Sequence, residues 1–292
     1  MIGNGLPGTL RTRKRTEAFF KVLMVGSTGL VAGSLLLILG TIVWKSLPAL
    51  SLSMFTQTPK GGYYLGKEGG ILNAIVGSLE LGLGATVVAF ILSLPIGLYL
   101  NLYKGRASKT AVWTRYFLDV LWGVPSIVYG AFGFVIMMAL GLRASLLAGI
   151  LTVALLEFPI MSRAIDEVMR LVPRELMEAS DSLGATRFET AVKVVVRQTV
   201  PGILTAVLMA FGRGIGDAAS VLFTAGFTDR IPASLSDPAA TLPLAIFFQL
   251  GTPFPEVQQR AYAAAAVLTL IILLVSVAGR LYTRKYAKHV IK

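Results

Sequence analysis

Val172-Pro173-Arg174-Glu175-Leu176-Met177-Glu178-Ala179-Ser180-Asp181-Ser182-Leu183-Gly184-Ala185-Thr186-Arg187-Phe188 is a polar stretch set between two apolar ones. Pro173 stands at a helix start, where its missing N–H is harmless and its fixed φ suits the first turn. Arg174 to Leu183 then reads as a helical run, and Gly184 stops it as a C-terminal glycine does. Thr186 caps the next helix, with Glu189 three residues on as its capping-box partner. Phe188, Val192, Val195 and Val196 fall on one apolar stripe. The loop 164–200 therefore predicts a capped helical hairpin. Such a hairpin is either a solvated closure of two spans or a docking element for a soluble partner.

Outward from this loop the chain is apolar. Of the 292 residues 55% are hydrophobic and 14% charged, and the mean hydropathy is +0.73. Soluble domains carry about 25% charged residues, so membrane lipid is the expected surrounding. A hydrocarbon core needs roughly 20 apolar residues in a helix. Six stretches qualify, near Phe19–Val43, Leu72–Leu100, Tyr116–Leu140, Ser145–Ser162, Pro201–Phe227 and Ala261–Leu281. The first exceeds a signal-peptide core, and the Trp44-Lys45-Ser46-Leu47-Pro48 that follows is no cleavage site, so it reads as a retained helix.

The chain is all-α on this reading, an integral membrane protein with about six transmembrane helices. Its charge of +12 is distributed between the spans. With the N-terminus inside, the inner segments hold five basic residues over Arg11–Lys21, four over Lys104–Arg115, five over Arg170–Arg197 and five over Arg280–Lys292. The outer segments hold six: Lys45, Lys60, Lys67, Arg143, Arg230 and Arg260. The positive-inside rule then sets both termini inside and accounts for the charge without nucleic acid. The expected division is a basic N-terminal segment 1–18, a first span 19–44, an external loop 45–71, a core of five spans over 72–281 and a basic tail 282–292. The inner loop 164–200 and an external loop 228–259 belong to the core. Gly61-Gly62, Gly69-Gly70 and five prolines between Pro232 and Pro255 mark the external loops as turns and interfacial segments.

The composition closes several chemistries. There is no cysteine, so no disulfide or thiolate site, and the lone histidine, His289, sits in a basic tail. No G-x-x-x-x-G-K-[ST] motif is present, so the chain has no P-loop for ATP. No metal-ligating or paired catalytic set stands out, and the chain is expected not to be an enzyme.

Charges inside the spans are few and expensive. Arg213 and Asp217 are four residues apart and share a helix face. They are either a mutually neutralising structural pair or part of an oxyanion path, for which a planar, permanently charged guanidinium is suited. Arg163 ends the fourth span, where it either snorkels to the interface or serves the inner end of such a path. Pro125, with Gly123 and Gly130, breaks the third span, as happens where backbone lines a cavity. Glu80, Asp119 and Glu157 are further acids in spans, and the sequence assigns them no role.

Glu178-Ala179-Ser180, followed after three residues by Gly184, resembles the EAA signature of ABC-importer permeases. Ser180 replaces the second alanine, and Arg197 stands where a proline is usual, which bears on the exit from the hairpin. Four further stretches resemble the phosphate permeases, the PstA type more than PstC. These are Gly69-Gly70-Ile71, Gly123-Val124-Pro125-Ser126-Ile127-Val128-Tyr129-Gly130, Gly212-Arg213-Gly214-Ile215-Gly216-Asp217-Ala218-Ala219 and Leu222-Phe223-Thr224-Ala225-Gly226 with Leu242-Pro243-Leu244. Asp217 stands where the family usually has Glu.

The resemblance implies a type I ABC-importer permease fold and a phosphate-importing subunit of a bacterial inner membrane. It implies that Glu178, Ala179, Ser180, Gly184, Ala185, Thr186 and Phe188 form a coupling surface for an ATPase. Arg213, Asp217, Arg163, Pro125 and Ser126 would line the substrate path. The implied partners are a related PstC-like permease, two PstB-like ATPase subunits and a soluble PstS-like phosphate-binding protein, with ATP and Mg on the ATPase and no cofactor on this chain. The rivals are a permease for molybdate, tungstate or sulfate, an ion-gradient transporter, which the coupling hairpin speaks against, and an intramembrane enzyme.

Overall fold

The computed structural model describes residues 7–60, 69–104 and 108–286. Gly61, Gly62, Lys67, Arg106, Lys288, His289 and Lys292, which entered the reading above, lie outside the described residues. The architecture is all-α. Among the described residues five helices are long and apolar enough to cross a membrane, or six if one bent pair counts as a single span.

Helix α1 (Pro7–Ser46) starts well before the expected Phe19. It is exposed over nearly its whole length and packs on α11 (Pro255–Tyr286). Lys45 Nζ donates to Tyr262 Oη (3.3 Å) there and lies 4.9 Å from the centre of that ring. A short helix α2 (Leu52–Thr56) leads to α3 (Leu72–Leu98), which closes in a π-turn at Tyr99–Tyr103.

The centre of the molecule is α3 against α6 (Leu146–Arg170) and α9 (Arg197–Ile215). Lipid is as apolar as these faces, so close van der Waals packing between small residues holds such helices together. Ala85, Ala89 and Gly97 of α3 meet Ile150, Ile165 and Met169 of α6 in this way.

The expected break in the third span is present, and three other expectations fail in instructive ways. The third span is not one helix. It is α4 (Lys109–Trp122) and α5 (Ser126–Ala139), bent by 96° at Gly123-Val124-Pro125. Proline has no N–H to continue the ladder and pushes its predecessor out of helical conformation. The Tyr129 hydroxyl donates to the Leu121 carbonyl (2.9 Å) and bridges the bend.

The fourth span does not end near Ser162. It continues to Arg170, so Arg163 lies within the helix rather than at its end. Its last two turns still bury Ile165, Asp166 and Met169, which keeps them helical.

The fifth helix stops at Ile215 instead of Phe227. Gly216 ends it, and residues 216–241 run as turns in spite of their apolar character. The segment after them is not an interfacial loop. Helix α10 (Leu242–Leu250) buries Leu242, Leu244 and Ala245 against Ala74, Ala263 and Ala264. At nine residues it is too short to span, and Pro243 and the Thr241 cap start it.

Candidate functional site: the hairpin and the arginine clusters

Helix α7 (Arg174–Ser182) begins after Pro173, as expected. Gly184 adopts φ +77°, the left-handed region open chiefly to glycine, and nothing lies within 4 Å of where its Cβ would be. The Gly184 N–H donates to Asp181 O (3.0 Å) and that of Ala185 to Ser180 O (3.2 Å), closing the helix end.

The capping box is present in full. Thr186 Oγ1 accepts from Glu189 N (3.3 Å) and Glu189 Oε2 accepts from Thr186 N (3.0 Å). Helix α8 (Arg187–Glu189) then runs without a break through a π-segment at Thr190–Val196 into α9. Arg197 therefore leaves the hairpin on a continuous helix, with Pro201 taken into it.

The π-segment splits the expected stripe. Phe188 and Val192 are exposed, whereas Val195 is buried with Val172, Met169 and Ile203 at the root of the hairpin. Glu178, Ala179, Gly184, Thr186 and Phe188 form an exposed tip together with Leu183. Ser180 is not on that surface. It is buried, its hydroxyl 2.9 Å from that of Thr190, and ties the two arms together. Ala185 is half-buried.

At the other end of α9, Arg213 sits on the last turn and Asp217 just beyond it, so the pair shares a turn rather than an unbroken helix face. Arg213 Nη1 lies 3.1 Å from Asp217 Oδ1. The Asp217 side chain is 5% exposed, and its second oxygen accepts from Ser220 N (2.8 Å). The Arg213 side chain is 48% exposed, and Asp217 is its ion-pair partner among the described residues. Asp217 is thus a fixed anchor, and Arg213 presents its remaining donors outward. Gly216 and Ala218 line a mostly apolar hollow of about 550 Å³ beside this turn, with Pro243, Phe247 and Leu250. Another hollow, of about 580 Å³, lies near the start of α11 and contains none of the expected path residues.

Pro125 is exposed and Ser126 half-buried at the bend. Helix α5 joins them to the Asp217 turn, because Gly130 packs on it. A Cβ at Gly130 would stand 2.8 Å from the carbonyl oxygens of Ala219 and Ser220.

Arg163 belongs to a different constellation. Its guanidinium meets Asp119 Oδ1 (2.6 Å), Asp166 Oδ2 (3.2 Å) and Glu167 Oε1 (3.4 Å). Asp166 is fully buried and also takes a two-pronged contact from Arg115, Nε to Oδ2 (2.8 Å) and Nη2 to Oδ1 (2.9 Å). Asn101 Nδ2 donates to the same Oδ1 (2.8 Å). The structure therefore separates Arg163 from Arg213 and Asp217, and it gives Asp119 a partner. The sequence reading missed Arg115, Asp166 and Asn101. The i,i+3 spacing of Arg163 and Asp166 was the available signal. Glu80 is exposed on α3. Glu157 is fully buried in α6, where a Cβ at Gly214 would overlap its Oε1.

The fold and this arrangement define a class: an all-α, multi-pass membrane protein with a capped polar hairpin between two of its spans. Residues 93–288 match the family described as the inner membrane component of binding-protein-dependent transport systems. The chain is 35% identical over 246 residues to the Haemophilus influenzae "Phosphate transport system permease protein PstA", covering 84% of this chain and 86% of that one. It is 37% identical to the Yersinia pestis protein of the same name, over 86% and 84% of the two chains. An inward-facing structure of the MetNI methionine ABC transporter aligns with a TM-score of 0.59 at 18% identity, over 74% of this chain and 95% of that one, and shares the fold.

The chain belongs to the binding-protein-dependent permeases and, within them, to the PstA proteins. It is the non-catalytic transmembrane subunit of an ABC system and a multi-pass protein of the bacterial inner membrane.

Proposed function

We propose that the chain forms half of the membrane path of an ATP-driven importer of inorganic phosphate. The observation that carries this is Arg213. It is held by a buried carboxylate on one side and open on the other, in a chain about a third identical to phosphate permeases over most of its length. A guanidinium with spare, coplanar donors suits a tetrahedral oxyanion, which it meets with two parallel hydrogen bonds. Asp217 keeps the guanidinium in place between encounters, and its own charge opposes a fully ionised trianion. Pro125 and Ser126 stand at the bend that leads to this turn.

The path is completed by a related PstC-like permease. Two PstB-like ATPase subunits hold ATP and Mg, and this chain holds no cofactor. The exposed tip formed by Glu178, Ala179, Gly184, Thr186 and Phe188 docks on one of them, and both termini lie on that cytoplasmic side. A soluble PstS-like protein delivers phosphate from the other.

Proteoliposomes of the full complex with ATP on the ATPase side test this. Radiolabelled phosphate is expected to accumulate, and excess unlabelled phosphate to suppress the signal where sulfate and molybdate do not. Suppression by sulfate or molybdate equal to that by phosphate would reassign the substrate.

A further inference from the structure

Helix α4 is joined to the rest of the chain in an unusual way. One side of it carries exposed Trp113, Tyr116 and Phe117. The other packs on α6, where the two ion pairs Arg115–Asp166 and Asp119–Arg163 grip it one helical turn apart. The same Asp166 oxygen that meets Arg115 Nη2 also accepts from Asn101, in the π-turn that ends α3. The next residue of that π-turn, Leu102, offers its carbonyl to Arg187 Nη1 (3.0 Å). Arg187 is the first residue of the hairpin's second arm, between the Thr186 cap and Phe188.

These contacts form one unbroken line. It runs from the hairpin through Arg187 to the π-turn at 99–103, from Asn101 to Asp166, and from Asp166 to Arg115 on α4. Beyond α4 lies the 96° bend, and α5 carries the line on to the carbonyls of Ala219 and Ser220, beside Asp217. Two of its links are soft. A π-turn has a mis-spaced ladder that re-forms easily, and the bend is a proline break with no helix across it. The links through Asp166, from Asn101 and from Arg115, are charge-assisted and set among packed helices, hence stiff. Stiff links between two soft joints are what a discrete two-state movement needs.

Asn101 is the telling member. Its Oδ1 is buried and accepts no hydrogen bond among the described residues. Its Nδ2 donates to the Gly97 carbonyl (2.9 Å) and to Asp166, so the residue tolerates a costly unpaired acceptor in order to hold the π-turn to α6.

We propose that Asn101, Asp166 and Arg115 transmit displacement of the hairpin to the bend at Gly123-Val124-Pro125, as positioning residues for transport. This rests on the reading of the hairpin as the ATPase-docking element. None of the three touches the anion. They set where α4 stands, and α4 sets the angle at which α5 supports the Arg213–Asp217 turn.

The test uses the full complex in proteoliposomes. Asn101→Ala removes the link while leaving both ion pairs of Asp166 in place. It is expected to assemble in normal yield, to hydrolyse ATP normally without phosphate, and to move about tenfold fewer phosphates per ATP than the unaltered complex, the scale of losing a hydrogen bond to a charged group. Arg187→Gln, an exposed change with no consequence for folding, is expected to lower the same ratio, and Arg187→Lys to restore part of it.

The chain has no cysteine of its own, so in a complex whose partner chains are also freed of cysteine, spin labels at Trp113→Cys and Phe132→Cys report the bend alone. Their separation is expected to change on ATP binding in the unaltered complex and to stay fixed in Asn101→Ala. An unchanged phosphate-to-ATP ratio in both variants, or a bend that responds to ATP in Asn101→Ala as it does without it, would overturn the proposal. If the unaltered complex shows no ATP-dependent phosphate uptake, the functional reading falls and the proposal with it. Uptake with an unaffected ratio in the variants removes the proposal alone.

Discussion

The two arginine clusters, one on α6 and one where α9 ends, are built from the same parts and arranged to opposite effect. Arg163 is 14% exposed and spends its donors on three carboxylates, one of which, Asp166, is shared with Arg115 and Asn101. Arg213 is 48% exposed and has one carboxylate partner, whose other oxygen is tied to the backbone of Ser220. An arginine ringed by three carboxylates is committed to fixing helices. An arginine anchored at one edge has donors to spare. The number of partners around the guanidinium and its exposure together separate the two, where residue type does not.

The largest effect is expected at Arg213. Arg213→Gln removes the outward donors, and phosphate uptake should fall by about a hundredfold, the scale of truncating a charged hydrogen-bonding partner, while complex yield stays normal. Arg213→Lys should recover little, because a point ammonium cannot meet two oxygens in parallel.

At Asp166 the comparison predicts the reverse pattern. Asp166→Asn leaves two guanidiniums against a neutral amide in a buried place, a loss of about 3–5 kcal/mol. The assembled complex should become scarce and melt lower in detergent, before any effect on transport per complex. If Asp166→Asn assembles normally while Arg213→Gln does not, the two clusters have been assigned the wrong way round.

A smaller effect is expected at the hairpin tip. At Gly184 a side chain meets no neighbour, so Gly184→Val is opposed by the left-handed backbone alone, by about 1–2 kcal/mol. The hairpin should loosen and ATP hydrolysis should lose its response to the binding protein, with the membrane helices intact by circular dichroism.

The smallest is Thr186→Ala, the loss of a cap of about 1 kcal/mol. The amides of residues 187–190 should exchange with solvent roughly fivefold faster, with the rest of the chain unchanged.

Much of this was legible in the sequence, for reasons that are local. The hairpin depends on a proline, a glycine, a threonine and a glutamate at fixed offsets, and each acts on its own backbone. The break at Pro125 is local in the same sense. The 96° angle was not readable, because it is set by what α4 and α5 each pack against. The end of α9 at Ile215 was missed because the apolar run continues past it. Burial by neighbouring helices satisfies residues 217–227 without a helix of their own, and hydropathy cannot tell the two apart. Asp119 looked unremarkable in the chain because its partner Arg163 comes from another helix, and the i,i+3 pair of Arg163 and Asp166 gave no hint of Arg115, 51 residues away. Ser180 looked like a surface substitution in a docking motif, and only the facing Thr190 shows it to be a buried tie between the arms.

The central claim is that Arg213 handles the anion and Asp217 holds Arg213. The double variant Arg213→Gln with Asp217→Asn tests it most directly, because it removes both charges together and leaves neither unpaired. Radiolabelled phosphate uptake into proteoliposomes is measured beside the yield of purified complex. The account predicts normal yield and no uptake above the level without ATP. A double variant that assembles and transports phosphate at the unaltered rate would show the pair to be a structural charge match, and would contradict it.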